Sequence, residues 1–280
     1  MAAPEFVAVG HVTLDHFGDD VRPGGAALFA AVTAHRLGLS VGILTSHGRD
    51  FPLDLLPPQI EVVTIDAPDT TVFEHRVDGS HRSMRRPIAA RSLTPADVPE
   101  DWRDAPLVLL APVLDDVDPA IADRFGDATL AAAGQGWLRV AGRDGDVRSQ
   151  RWAPPRPLLG RLQGLFVSDE DVLGQEAQML EWLQCLPVAA VTAGPSGALL
   201  YVNGERYEVR PRPAREVDPT GAGDVFAAAF LVGYHLEGDP WQAAALASCA
   251  ASLSVEGEGW STVPDRETLA AVLDRYRKIE

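Results

Sequence analysis

Short runs rich in β-branched residues alternate along this chain with longer stretches rich in alanine and leucine. A chain patterned this way has few options. Strands that follow one another through a helix lie parallel, and a parallel sheet needs helices on its faces. The runs Glu5–Gly10, Val41–Thr45, Glu61–Ile65, Leu107–Ala111, Thr129–Ala133, Leu165–Val167 and Val188–Thr192 read as that parallel series. Gly24–Leu37 reads as a helix, with apolar positions at Leu28, Ala31, Val32 and Leu37 and a stop at Gly38. The last third reads as three helices, Gly221–Leu236, Trp241–Ser254 and Asp265–Arg277. Small residues dominate the second of these, which suits close packing against a neighbour.

Two hairpins interrupt the series. Asp78-Gly79 sits between the extended runs Thr71–Val77 and Ser80–Arg85, and Asn203-Gly204 joins Ala198–Val202 to Arg206–Val209. Both dipeptides favour two-residue hairpin turns. The first hairpin mixes polar and apolar residues on both faces, so it is expected to project from the body. Arg139–Pro157, rich in Gly, Arg and Pro, reads as a surface excursion.

The 280 residues suit one large α/β domain, 1–280, with a small lid hairpin at about 70–86. A formal net charge of −16 argues against nucleic acid and anionic membrane as partners. The two cysteines, Cys185 and Cys249, are too few for a disulfide framework or a Cys-rich metal site. The first residues show no basic and apolar segments of a secretory signal, and no apolar run approaches a membrane span of about 20 residues, so a cytoplasmic protein is expected.

The chemistry concentrates in Asp218-Pro-Thr-Gly-Ala-Gly-Asp224, followed directly by Val-Phe-Ala-Ala-Ala-Phe. This reads as a loop turning into an apolar helix. A helix start offers unpaired N–H groups and the positive end of the macrodipole, and so attracts phosphate. Glycine lets phosphate oxygens approach that backbone. A carboxylate beside a bound anion is electrostatically misplaced, so Asp224 is expected to have a task, and taking a proton is the obvious one. An ordinary N-capped helix explains a lone Gly-x-Gly but not the whole heptapeptide. Other readings fail: there is no Gly-x-x-x-x-Gly-Lys-[Ser/Thr], and the seven histidines contain no His-x-x-x-His pair.

The heptapeptide resembles the signature of the ribokinase-like (PfkB-type) carbohydrate kinases, which transfer the γ-phosphoryl of ATP to a hydroxyl of a sugar, polyol or nucleoside. The resemblance extends further. Gly10-His-Val-Thr-Leu-Asp15 is similar to the family's opening strand, ending in an aspartate that grips substrate hydroxyls. Pro23-Gly24-Gly25-Ala26-Ala27 resembles its Gly-Gly element against the substrate, and Arg85-Arg-Pro-Ile-Ala89-Ala90 its arginine-bearing run after the lid. Val191-Thr192-Ala193-Gly194-Pro-Ser-Gly197 resembles its Thr-x-Gly-x-x-Gly segment near the nucleotide phosphates. Glu256-Gly257-Glu258-Gly259 falls where its adenine-side loop belongs.

The resemblance implies a three-layer α/β/α sandwich with a mostly parallel sheet and a β lid. It implies Asp224 as general base, Gly221, Ala222 and Gly223 as the anion hole, and Asp15, Gly24, Gly25 and Arg85 (or Arg86) at the substrate. Thr192, Gly194 and Gly197 fall at the nucleotide. An unperturbed aspartate, with a pKa of about 3.9, is ionised at neutral pH. ATP and Mg²⁺ are the implied cofactors, with K⁺ as an option.

Two features depart from the family pattern. Its Asn-x-x-Glu, which places magnesium through water, is here Ser168-Asp-Glu-Asp171, leaving Asp171 to hold a hydrated metal. The gap between Asp15 and Gly24 is short, so the lid is expected to be reduced, which argues against lid-mediated dimerisation; the expected state is monomer or homodimer. The compact lid, the Gly10-His-Val-Thr-Leu-Asp15 opening and Pro23-Gly-Gly-Ala-Ala27 look closer to inositol- and sugar-kinase-like members than to pyridoxal or hydroxymethylpyrimidine kinases, which typically carry Gly-Thr-Gly variants of the signature. The expected acceptor is a small sugar or polyol such as myo-inositol. Two alternatives are a nucleoside, with Phe17, Phe29 and Phe73 available for stacking, and a ligand-binding protein that has lost turnover.

Overall fold

A computed structural model describes the backbone of residues 3–78 and 81–278; side chains 77–82 are not described. Gly79 of the expected Asp78-Gly79 turn lies outside the described residues. The strands are β1 (Phe6–Val9), β2 (Thr13–Phe17), β3 (Asp20–Gly24), β4 (Val41–His47), β5 (Ile60–Asp66), β6 (Thr71–Asp78), β7 (His81–Ile88) and β8 (Leu107–Leu110). They continue as β9 (Thr129–Ala133), β10 (Arg139–Ala141), β11 (Val147–Ser149), β12 (Gly164–Ser168), β13 (Val188–Thr192), β14 (Ala198–Val202) and β15 (Glu205–Val209). The helices are α1 (Ala26–Arg36), α2 (Arg156–Arg161), α3 (Glu176–Leu183), α4 (Ala222–Glu237), α5 (Pro240–Ser254) and α6 (Arg266–Arg277).

One nine-stranded sheet forms the body, in the order β15-β14-β13-β12-β9-β8-β1-β4-β5. From β13 to β5 neighbouring strands run parallel, and β14 and β15 add an antiparallel edge. Asn203 and Gly204 both take positive φ at the tip of that edge, as the dipeptide foretells. Alternation along each strand divides the core in two. Phe6, Ala8, Leu107 and Leu109 face a layer built from α1, α4, α5 and α6, while Val7, Val9, Val108 and Leu110 face the other side. That other layer holds α2, α3 and short single-turn helices, with Trp102, Phe125, Trp137 and Trp182 filling the space. The sheet is thus covered on both faces, as parallel strands require.

A second sheet of four strands, β3-β2-β6-β7, forms the lid. The expected hairpin is β6–β7, but it does not stand alone. The short gap after Asp15 is long enough for a tight β2–β3 hairpin through Gly18, and β2 pairs in parallel with β6. The lid therefore has four strands rather than the hairpin alone. Arg139–Pro157 also does more than cross the surface, since β10 and β11 form a small antiparallel hairpin that docks on the lid. Its Gly145 carbonyl accepts from Arg86 N–H at 2.8 Å, and the Arg85 side chain reaches Asp144 O at 2.6 Å and the Asp146 carboxylate at 3.2 Å.

Candidate active site

Loops leaving the carboxyl ends of the parallel strands converge on one cavity, the usual crevice of an open α/β sheet. It has a volume of about 690 Å³ and lies between the sheet and the lid. The route after β1 brings Asp15, that after β9 brings Gln135 and Arg139, and that after β12 brings Asp171. Thr192 closes β13, and the uncapped start of α4 brings Gly221, Ala222, Gly223 and Asp224.

Two helices begin at this cavity, and neither has a side-chain cap. α1 starts from Gly25 and α4 from Gly221, whereas α5 and α6 are capped by Asp239 and Asp265. Their first amides are left for something other than protein. At α4, Ala222 N–H donates to Pro219 O at 3.2 Å and Val225 N–H to Gly221 O at 2.9 Å, so the amides without an acceptor among the described residues are those of Gly221, Gly223 and Asp224. Gly221 takes a left-handed conformation (φ 76°), and a Cβ there would lie 2.4 Å from the Phe29 ring. No other residue type fits both demands. At Gly223 a Cβ would meet nothing within 4 Å, so a side chain there would occupy open cavity.

Gly223→Val is therefore expected to fold normally yet to block close approach of an anion to the helix start. Loss of charge-assisted hydrogen bonds of this kind corresponds to about 10–100-fold weaker donor binding. Nucleotide titration of the variant measures it, and unchanged affinity would remove these amides from the donor site.

Asp224 sits in the first turn of α4 and is 7% exposed. Its Oδ1 accepts from Gln135 Nε2 at 3.1 Å. Its pKa is raised from the ordinary 3.8 to about 7, first by burial, with Arg139 and Gln135 pulling it down and Asp171 and Asp15 pushing it up. The sequence-based expectation of an unperturbed, fully ionised aspartate is corrected by this burial. A carboxylate near 7 is a stronger base than an ordinary one and is poised for proton transfer at neutral pH.

Asp15 lies on β2, buried, with Thr13 Oγ1 donating to its Oδ1 at 2.9 Å. Gly24 packs directly on it: a Cβ there would be 2.1 Å from Asp15 Oδ2, so only glycine allows this contact. Gly25 lines the cavity itself. Arg85 does not. It is held by Glu74, Asp144 and Asp146 on the outer side of the lid, while Arg86 donates to Leu114 O at 3.0 Å. Neither arginine is among the cavity-lining residues.

Asp171 lines the cavity, but its carboxylate is already engaged. Arg139 Nε and Nη2 both reach Oδ1 at 2.8 Å, and Ser168 Oγ donates to Oδ2 at 2.7 Å. Among the described residues no group of three metal-binding side chains comes together. These residues do not fit a protein-held magnesium, so an arginine stands where the sequence suggested a metal. Gln135 and Arg139 escaped the sequence reading because Arg139 opens a Gly/Arg/Pro-rich stretch. Their position just past the carboxyl end of a parallel strand is the signal that marks them.

Thr192 and Gly194 line this cavity and a second, adjoining one of about 400 Å³, which Gly197 also lines. The two share the α4 turn at Pro219, Ala222 and Gly223. The walls of the second are mainly apolar, from Pro211, Pro213, Ala214, Phe226, Ala251 and Val255.

An α/β/α sandwich with a β lid over a paired-glycine helix start defines the ribokinase class of folds. A pyrophosphate-dependent kinase in the ribokinase family superposes with a TM-score of 0.80 at 23% identity, covering 95% of this chain and 99% of that one. Residues 164–266 match the model of the pfkB family carbohydrate kinases. That stretch includes the α4 turn and supports a ribokinase-like pfkB carbohydrate kinase. A cytidine kinase of Thermococcus kodakarensis is 28% identical over 82% of this chain and 88% of its own length. An inositol 3-kinase of Arabidopsis thaliana is 27% identical over 75% of this chain, which spans 61% of that protein. Among the described residues no helix is long and apolar enough to cross a membrane.

Proposed function

We propose that the protein transfers the γ-phosphoryl of ATP to a hydroxyl of a small sugar or polyol, with Asp224 as general base. The observation that carries this reading is the buried Asp224 carboxylate, raised to about 7, one residue from the unpaired Gly223 amide in a shared cavity. The acceptor hydroxyl gives its proton to Asp224 as its oxygen bonds to the γ-phosphorus. The bond to the β,γ-bridging oxygen breaks, and ADP leaves. The Gly221 and Gly223 amides hold the moving phosphoryl, and Arg139, beside Asp224 in the same cavity, adds positive charge. Asp15 orients the acceptor. Magnesium enters with ATP as a co-substrate complex.

The second cavity favours ATP over pyrophosphate as donor. Pyrophosphate has nothing to place against its apolar wall, whereas an adenosine suits its 400 Å³. A polyol such as myo-inositol fits the related inositol kinase, and a nucleoside the related cytidine kinase. Phe29 and Phe73 in the cavity wall favour the second acceptor class enough to include it in the assay.

The test is product release with ATP or pyrophosphate against myo-inositol, ribose, fructose and cytidine, in Mg²⁺ with and without K⁺. ATP-dependent turnover of a polyol or sugar is the expected result. Turnover with pyrophosphate alone would overturn the donor, and ligand binding without turnover would favour the inactive binder.

A further inference from the structure

A polyphosphate donor needs positive charge beside it, and this cavity is acidic. Among the described residues that line it, Asp15, Asp169, Glu170, Asp171 and Asp224 carry carboxylates, and Arg139 is the one lysine or arginine. In a chain of net charge −16 the surrounding field opposes a polyanion, so that local cation has to offset it. Arg139 is also held still. Its Nε and Nη2 both lie 2.8 Å from Asp171 Oδ1, and Ser168 Oγ donates to Oδ2 of the same carboxylate at 2.7 Å. Its carbonyl accepts from Gln150 Nε2 at 3.0 Å, and nearby Trp137 stacks on Trp152 with centroids 5.1 Å apart. The ion pair uses only one edge of the guanidinium, so Nη1 and the outer N–H of Nη2 stay outside it. The Arg139 side chain is 27% exposed and that of Asp171 5%, so the pair is buried at the carboxylate and open at the guanidinium.

We propose that Arg139, anchored by Asp171, reads the terminal phosphoryl of the donor, so that the Ser168–Asp171–Arg139 chain stands where a carboxylate-held metal was expected. Asp171 is then a positioning residue that acts through Arg139 alone. A metal ion at Asp171 would have to displace the guanidinium or sit against its positive charge. The free fork of an arginine matches two phosphoryl oxygens at once, which a point charge does not. The terminal phosphoryl is present on ATP and absent from ADP, so the contact makes Arg139 the residue that prefers donor over product. The proposal rests on reading the cavity as the donor site, and not on the identity of the acceptor.

Titration calorimetry compares the Mg²⁺ complexes of ADP and of a non-hydrolysable ATP analogue on wild type, Arg139→Met, Arg139→Lys and Asp171→Asn. Wild type is expected to bind the analogue more tightly than ADP. Arg139→Met is expected to weaken the analogue about 10–100-fold and ADP by no more than about twofold. Arg139→Lys, which keeps the charge without the fork, is expected to recover part of that loss. Asp171→Asn is expected to lose about 10-fold of the same preference, with the Mg²⁺ concentration for half-maximal analogue binding unchanged. A higher Mg²⁺ requirement with the preference intact would make Asp171 a metal residue and overturn the proposal. An unchanged preference in Arg139→Met overturns it too, as does a wild type that shows none. Arg139→Met leaves Asp171 buried and unpaired, so the double variant Arg139→Met/Asp171→Asn carries the same test if the single one unfolds. A preference that depends on Arg139 in a protein that phosphorylates none of the four acceptors keeps the assignment and discards the acceptor reading alone.

Discussion

Asp224→Asn is expected to lower kcat by about 10²–10⁴-fold while leaving ATP affinity nearly unchanged. The substitution keeps the size of the side chain and its place beside Gln135, so the cavity survives and only the proton acceptor is lost. Single-turnover kinetics and nucleotide titration separate the two effects. Wild-type turnover in the variant would remove Asp224 from the mechanism.

With Asp224 as the base proposed above, the same residue is expected to set the pH profile. A base must be unprotonated to act, and burial places the Asp224 pKa at about 7. Activity therefore falls as pH is lowered through about 7, close to tenfold per unit below it. An ordinary aspartate would hold the profile flat down to about pH 4. Measuring kcat/KM for the acceptor between pH 5 and 8.5 distinguishes them.

Asp224→Asn is also expected to stabilise the fold. The folded-state pKa is raised above the unfolded value of 3.8 to about 7, so the folded chain disfavours the charged form. For a carboxyl this sign means destabilisation: absent below 3.8, growing as pH rises, and complete above about 7. The shift corresponds to on the order of 4 kcal/mol. Asparagine never carries the charge, so the variant gains that amount at pH 8.5 and less than half of it at pH 5. Urea midpoints of both proteins at the two pH values test the sign and the trend. A variant no more stable than wild type at pH 8.5 would mean that Asp224 is not strained by burial. Catalytic carboxylates commonly lower stability in this way.

The body of the fold was legible because its signals are local. Parallel strands buried on both faces read as apolar runs, and Gly38 and Asp265 mark helix ends by their own chemistry. The α4 turn was legible for a similar reason: Gly221 and Gly223 mark it within a few residues. The sequence predicts too small a lid because Thr13–Phe17 and Asp20–Gly24 are short, polar and partly exposed, and they become strands by pairing with each other and, through β2, with β6. Arg85 was misplaced for a comparable reason. Its partners, Asp144 and Asp146, lie about 60 residues on in a hairpin that no local pattern announces. The Asp224 pKa is a property of burial and of neighbours from three other segments, which a motif does not contain.

The β10–β11 hairpin has a mechanical consequence. Its tip is fastened to the lid through Arg85 and Arg86, and its root, Arg139, grips Asp171 in the cavity that Asp224 lines. It works as a tie rod. The lid and Arg139 are thus joined by a route that does not pass through the nine-stranded body.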